Sequence, residues 1–75
     1  MFSREVFSRR LLALRQQTGV TQSELAAAIK INRTSITLME RAERAASIEV
    51  LYALADFFDV SIDYLVGRSD NPKRI

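Results

Sequence analysis

Neither cysteine nor histidine occurs anywhere in these 75 residues. The first absence removes disulfides and thiolate metal sites, and the second removes the commonest metal ligand and general base. No metal or other cofactor is implied, and an enzyme reading starts weak. Long apolar runs are missing as well. The opening MFSREVFSRR carries charge where a secretory signal is apolar, and no stretch approaches the ~20 apolar residues of a membrane helix, so the chain is expected in the cytoplasm. Glycine occurs twice and proline once, which leaves few breaks, and the length allows one small core but not two.

What fills the chain is helical periodicity without strand-like alternation, so the fold class is all-α. Val6, Phe7, Arg10, Leu11 and Leu14 recur at helical spacing, which predicts a first helix from Arg4 to Thr18, stopped by Gly19. Thr21, with Glu24 three residues on, forms a capping box for a second helix, Gln22 to Ile29, with Leu25, Ala26 and Ile29 inward. Asn32 caps a third helix to about Arg41, with Ile36 and Met39 inward. Ser47 caps a fourth through Asp59, striped by Val50, Leu51, Leu54, Ala55 and Phe58, and Ser61 caps a short fifth, Ile62 to Val66, ended by Gly67. Leu11, Leu14, Leu25, Ile29, Ile36, Met39, Leu51, Leu54, Phe58, Ile62 and Leu65 make up the expected core. Residues 1 to 67 therefore read as one compact five-helix domain, and the polar tail 68 to 75, with Pro72, is expected to fray.

Charge divides along the chain. Residues 1 to 44 carry eight basic and four acidic side chains, whereas residues 45 to 67 carry four acids and no base. Such a split fits a molecule with one side turned to a polyanion, and it equally fits an ordinary solvated surface.

The stretch QSELAAAIKINRTSITLMER, residues 22 to 41, has a small residue fifth (Ala26) and apolar residues fourth, eighth, tenth, fifteenth and eighteenth. Two helices crossing steeply through a short turn bring their backbones close, so the fifth position takes only a small side chain while the apolar set seals the crossing. The second helix then exposes its first turn. There the run from Asn32 to Ser35 offers a guanidinium with short amide and hydroxyl groups, the chemistry that reads base edges and phosphates in a major groove.

This pattern resembles the lambda-repressor-like (Cro/CI, Xre-type) helix-turn-helix family. The resemblance covers nearly the whole chain, through LRQQTGVTQSELA before the motif, SITLMERAER within it and LYALADFFDVSIDYLVGR after it. It implies five helices, the third of them the recognition helix, and a DNA-binding regulator of transcription. Residue by residue, it implies base or groove contacts from Arg33, Thr34, Ser35, Thr37 and Leu38, a phosphate contact from Gln22, and chain beside phosphates at Arg41 and Arg44. Arg33 is the candidate for bidentate contact with guanine, and Leu38 either meets a thymine methyl or packs on a neighbouring helix. Arg15 and Glu40 match a pair that in such proteins forms a partly buried ion pair between the first and third helices.

Three positions depart from that pattern. Lys30 stands at the turn site where glycine is usual, Ala42 where glycine often ends the third helix, and Ala46 where proline is frequent. The third helix is therefore expected to run on through MERAERAA, shifting Arg41 and Arg44. A single domain of this kind reads only a few base pairs, so a homodimer on a palindromic operator is the expected partner arrangement. The resemblance places pairing around the fifth helix, where Phe57, Tyr64 and Val66 are the interface candidates and Val60 and Leu65 the core ones. A repressor is the simplest role, and phage repressors, restriction-modification controllers and antitoxin-type regulators all fit. Glu40 or Glu43 could touch RNA polymerase in an activator. The alternative from another class is a protein-interaction module, antitoxin-like, on the same scaffold. An enzyme is the third reading: Asp56, Asp59 and Asp63 look like a carboxylate cluster, but their spacing is that of a solvated face.

Overall fold

A helix begins in this chain wherever a short hydroxyl or amide side chain can accept a backbone N–H. The computed structural model describes residues 1 to 74, and among them five α-helices and no strand: α1 (Arg4–Thr18), α2 (Gln22–Ala28), α3 (Arg33–Glu40), α4 (Ile48–Phe58) and α5 (Ile62–Leu65). Their caps are Ser3, Thr21, Asn32, Ser47 and Ser61, each accepting from the amide three residues on. At α2 the capping box is complete: Thr21 Oγ1 accepts from Glu24 N at 3.0 Å, and Glu24 Oε1 accepts from Thr21 N at 2.9 Å. Those bonds, the backbone one first, hold the Glu24 carboxyl below the ordinary glutamate range.

All five helices also end alike. A residue with left-handed backbone follows the last turn, at Gly19, Lys30, Ala42, Asp59 and Gly67. Its N–H and the next one reach back to two carbonyls of that turn, as in Ala42 N to Met39 O and Glu43 N to Leu38 O. This double closure satisfies carbonyls the helix leaves open. Three of the five turn residues are not glycine, and each of these adopts a backbone that costs an L-residue roughly 1 kcal/mol. The expected extension of α3 through MERAERAA is thereby corrected: the closure at Ala42 stops it at Glu40, and Ala46 packs against the core on the way to α4. Helices α2, α4 and α5 each stop one residue short of the sequence expectation, because Ile29, Asp59 and Val66 are the caps themselves.

Phe7, Leu11 and Leu14 of α1 lie at the centre of the core with Leu25 and Ala26, Ile36 and Met39, Leu51, Leu54 and Ala55, Val60 and Leu65. Ile29, Phe58 and Ile62 pack at its margin. Phe7, left out of the sequence-based core, is fully buried. Val60 is buried because it follows the closing turn of α4, where the chain folds back over the helix end. Gly67 is required twice over: its φ is 84°, and a Cβ there would lie 2.5 Å from Val6 Cγ1 of α1.

After Gly67 the tail turns back. Ser61 N donates to Pro72 O at 3.0 Å, and Arg74 meets Asp56 at 2.6 Å and the carbonyl of Ala55 at 3.3 Å. Among the described residues no helix is long and apolar enough to cross a membrane.

Candidate nucleic-acid interface

The close approach of α2 and α3 depends on Ala26, buried at the crossing, and on the turn through Lys30 that returns the chain to Asn32. Asn32 then fixes the start of α3. Its Oδ1 accepts from Ser35 N at 2.8 Å and from the Ser35 hydroxyl at 3.1 Å. Ser35 Oγ in turn accepts from Arg44 Nη1 at 3.1 Å, so Arg44, beyond the helix, is drawn back beside its first turn. Asn32 and Ser35 therefore hold the helix start, and Arg33 and Thr34 project from it, exposed.

Helical geometry places Arg33, Thr34, Thr37, Leu38 and Arg41 on one face of α3, with Ile36 and Met39 facing the core. Leu38 is half-buried at the edge of that face, and Arg41 is exposed and paired with Glu43 at 2.7 Å. Arg33 has no side-chain hydrogen bond or ion pair among the described residues, which leaves its five donors available.

Behind the face runs a polar network. Arg15 Nε donates to Glu40 Oε2 and its Nη2 to Glu40 Oε1 at 3.1 Å, while Nη1 caps the carbonyl of Val20 at 3.1 Å. Only 18% of the Arg15 side chain and 6% of the Glu40 side chain meet solvent. The hydrogen bonds to the Glu40 side chain, with its charge, raise the guanidinium above its ordinary value against the opposing effect of burial. Gln22 Nε2 donates to Glu40 Oε1 at 2.9 Å, and Gln22 Oε1 accepts the Thr37 hydroxyl at 3.0 Å. This network joins α1, α2 and α3 through side chains that helical periodicity treats separately. The signal that could have exposed it is the polar side chain of Thr37 one turn before Glu40, facing Gln22.

The chain matches the helix-turn-helix family model over residues 11 to 65. It belongs to the helix-turn-helix family. Members of this family are DNA-binding regulators of transcription and not enzymes. The chain is 33% identical over 66 residues to the transcriptional regulator ImmR of Bacillus subtilis, covering 88% of this chain and 52% of ImmR. It is 35% identical over 69 residues to PrpR of Mycobacterium tuberculosis, covering 92% of this chain and 14% of PrpR. The matches to these curated relatives thus span about half of one and a small part of the other. Among solved structures, the P22 c2 repressor in complex with a synthetic operator superposes with a TM-score of 0.81 at 26% identity, over 85% of this chain and 97% of that one. The restriction-modification controller C.AhdI of Aeromonas hydrophila superposes at 0.76 with 29% identity, over 83% and 94%.

The other sequence candidates lie apart from this face. Phe57 is exposed, with its ring edge-on to Phe58 at 5.0 Å. Val66 is half-buried against the core, and the Tyr64 ring lies under the Arg10 guanidinium at 4.0 Å. Asp56 and Asp59 face Arg74, and no group of acidic side chains among the described residues could hold a metal ion. The reach of Arg10 to α5 and the tail was not drawn from the sequence, although Arg10 stands in the inward spacing of the first helix.

Proposed function

We propose that this domain is a sequence-specific, cytoplasmic regulator of transcription that binds double-stranded operator DNA through α3, most simply as a repressor and as a homodimer. The observation that carries this reading is Arg33: an exposed guanidinium with no side-chain partner among the described residues, at the first turn of a helix braced from behind by a salt-bridged network. Rigid presentation matters because a bidentate contact to guanine O6 and N7 tolerates little error in direction. Around it, Thr34 and Leu38 offer a hydroxyl and a methyl-bearing surface to base edges. Asn32 and Ser35 would face the groove beside them, Arg41 and Arg44 would run beside phosphates, and the second amide proton of Gln22 is available to another. Two copies on a palindrome would set their α3 helices about 34 Å apart in successive major grooves. Phe57 of α4, with Tyr64 of α5 and Val66 at its cap, is the candidate pairing surface.

A second reading, a module that binds a protein partner in the manner of an antitoxin, is favoured by the exposed apolar side chains of Ile48, Tyr52 and Phe57 on α4. Both are tested by selecting random genomic fragments on the purified protein at physiological salt, beside Arg33→Ala. An operator-binding regulator enriches a two-fold symmetric motif, and the variant loses guanine preference at one position per half-site with affinity about 5- to 150-fold lower. Fragments retained without a motif, equally by both proteins, would sink the operator reading and turn the search to a protein partner.

A further inference from the structure

The network behind α3 has a direction, and that direction is fixed at its buried end. The Glu40 carboxylate, paired with Arg15, can only accept hydrogen bonds. Its Oε1 takes Gln22 Nε2 at 2.9 Å. Turning the Gln22 amide over would set one carbonyl oxygen against a carboxylate oxygen, so the NH₂ end stays at Glu40 and Oε1 faces Thr37. Among the described residues the two groups that Thr37 Oγ1 reaches are that oxygen, at 3.0 Å, and the carbonyl of Arg33, at 3.2 Å. Both are acceptors. Whichever it uses, the hydroxyl proton is held on the protein side, and only lone pairs and the γ-methyl remain for the outer face, where Thr37 stands between Arg33 and Leu38.

From this geometry we propose that Thr37 reads DNA as an obligate hydrogen-bond acceptor, with Gln22 and Glu40 as the positioning residues that set its polarity, so the base it faces bears an amino group. The inference rests on the operator-binding reading above and names what one position of the operator contains. In the major groove adenine N6 and cytosine N4 carry amino donors, whereas guanine O6 and thymine O4 present lone pairs. A free threonine hydroxyl serves either kind by rotating. Here rotation outward breaks the bond to Gln22, so guanine or thymine would meet lone pair with lone pair. One neutral hydrogen bond gained or lost corresponds to a preference of about 3- to 10-fold.

The test is the same selection on random duplexes, run with the wild type, Thr37→Val, Thr37→Ser and Gln22→Leu, with thermal melting of each to show that it is folded. The wild type is expected to enrich adenine or cytosine about 3- to 10-fold at one position per half-site. Thr37→Val, which keeps the shape and removes the acceptor, erases that preference and leaves the guanine preference assigned to Arg33 intact. Thr37→Ser retains it. Gln22→Leu leaves the hydroxyl only the longer bond to the carbonyl of Arg33, at 3.2 Å, so it turns outward more readily and the preference falls to within about 2-fold at that position alone, a change that loss of packing would not confine to one base pair.

Guanine or thymine at the position altered by Thr37→Val would show the hydroxyl donating and overturn the proposal. So would a motif unchanged by Thr37→Val, and a motif unchanged by Gln22→Leu would overturn the positioning role. In these cases the wild type still selects a motif, so the operator reading stands. A wild type that selects no motif removes that reading itself, and this inference with it.

Discussion

Arg15 and Arg10 leave the same helix and are almost equally covered, at 18% and 20% side-chain exposure, yet they organise their regions by different chemistry. Arg15 holds the α1, α2 and α3 end through a buried carboxylate that also grips Gln22. Arg10 holds the α5 and tail end chiefly through the backbone, donating from Nη1 to Tyr64 O at 2.8 Å and Ser69 O at 2.9 Å, with its face over the Tyr64 ring. Its one charged partner among the described residues, Asp70, is fully exposed. The first arrangement is all or nothing, because removing either ion strands the other away from water. The second can be taken apart piecewise, because carbonyls left behind can be rehydrated. Rigidity is thus concentrated behind the face that carries Arg33, while the rear of the domain is fastened by replaceable bonds.

The largest expected effect breaks the first arrangement. Glu40→Ala leaves the Arg15 guanidinium buried without its carboxylate and frees the Gln22 amide, and should lower stability by about 3 to 5 kcal/mol in urea denaturation. The paired change Arg15→Met with Glu40→Leu should recover most of that loss, since apolar groups of similar volume strand no charge. A loss below about 1 kcal/mol for the single variant would mean that the pair is solvated and the contrast with Arg10 false. Arg10→Ala comes next, at about 2 kcal/mol for charge-assisted bonds and a cation–π contact. It should raise amide exchange across residues 66 to 74 while leaving DNA affinity within about 2-fold. A large loss of binding would show that the rear of the domain governs the reading face.

Four of the five helix starts were legible in one side chain, Thr21, Asn32, Ser47 or Ser61, and each core stripe in the spacing of its own helix, whereas the cap at Ser3 was not read and α1 was drawn from its spacing alone. The ends were less so. A closing turn at Gly19 or Gly67 announces itself, whereas Ala42 closes α3 with nothing in its chemistry to say so, and the extension expected through MERAERAA followed from that silence. Of the candidate interface, the exposure of Arg33 and Thr34 follows from helical register. The bonding of Gln22 and Thr37 does not, because it depends on how two helices cross and on which end of an amide a buried carboxylate selects. The reach of Arg10 to the tail was hidden for the same reason: its acceptors are backbone carbonyls, which no sequence pattern marks.

A smaller effect probes the strain stored at one helix end. Ala42→Gly places the residue that prefers a left-handed backbone where φ is 61°, and should raise stability by about 0.5 to 1 kcal/mol, the relief exceeding the added freedom of the unfolded chain. No gain, or a loss, would mean that α3 continues past Glu40 in solution.

The smallest effect separates the two kinds of bond that Arg10 makes. Asp70→Ala removes a carboxylate that is fully in water, so the melting temperature should stay within about 1 °C. Amide protection in the tail should stay too, because the carbonyls of Tyr64 and Ser69 still hold Arg10 and Ser61 still donates to Pro72. A tail that loses protection in this variant while α1 to α5 keep theirs would assign its anchorage to the exposed ion pair. That would return the tail to the frayed segment its polar sequence predicts, and leave Arg10 fastening only α5.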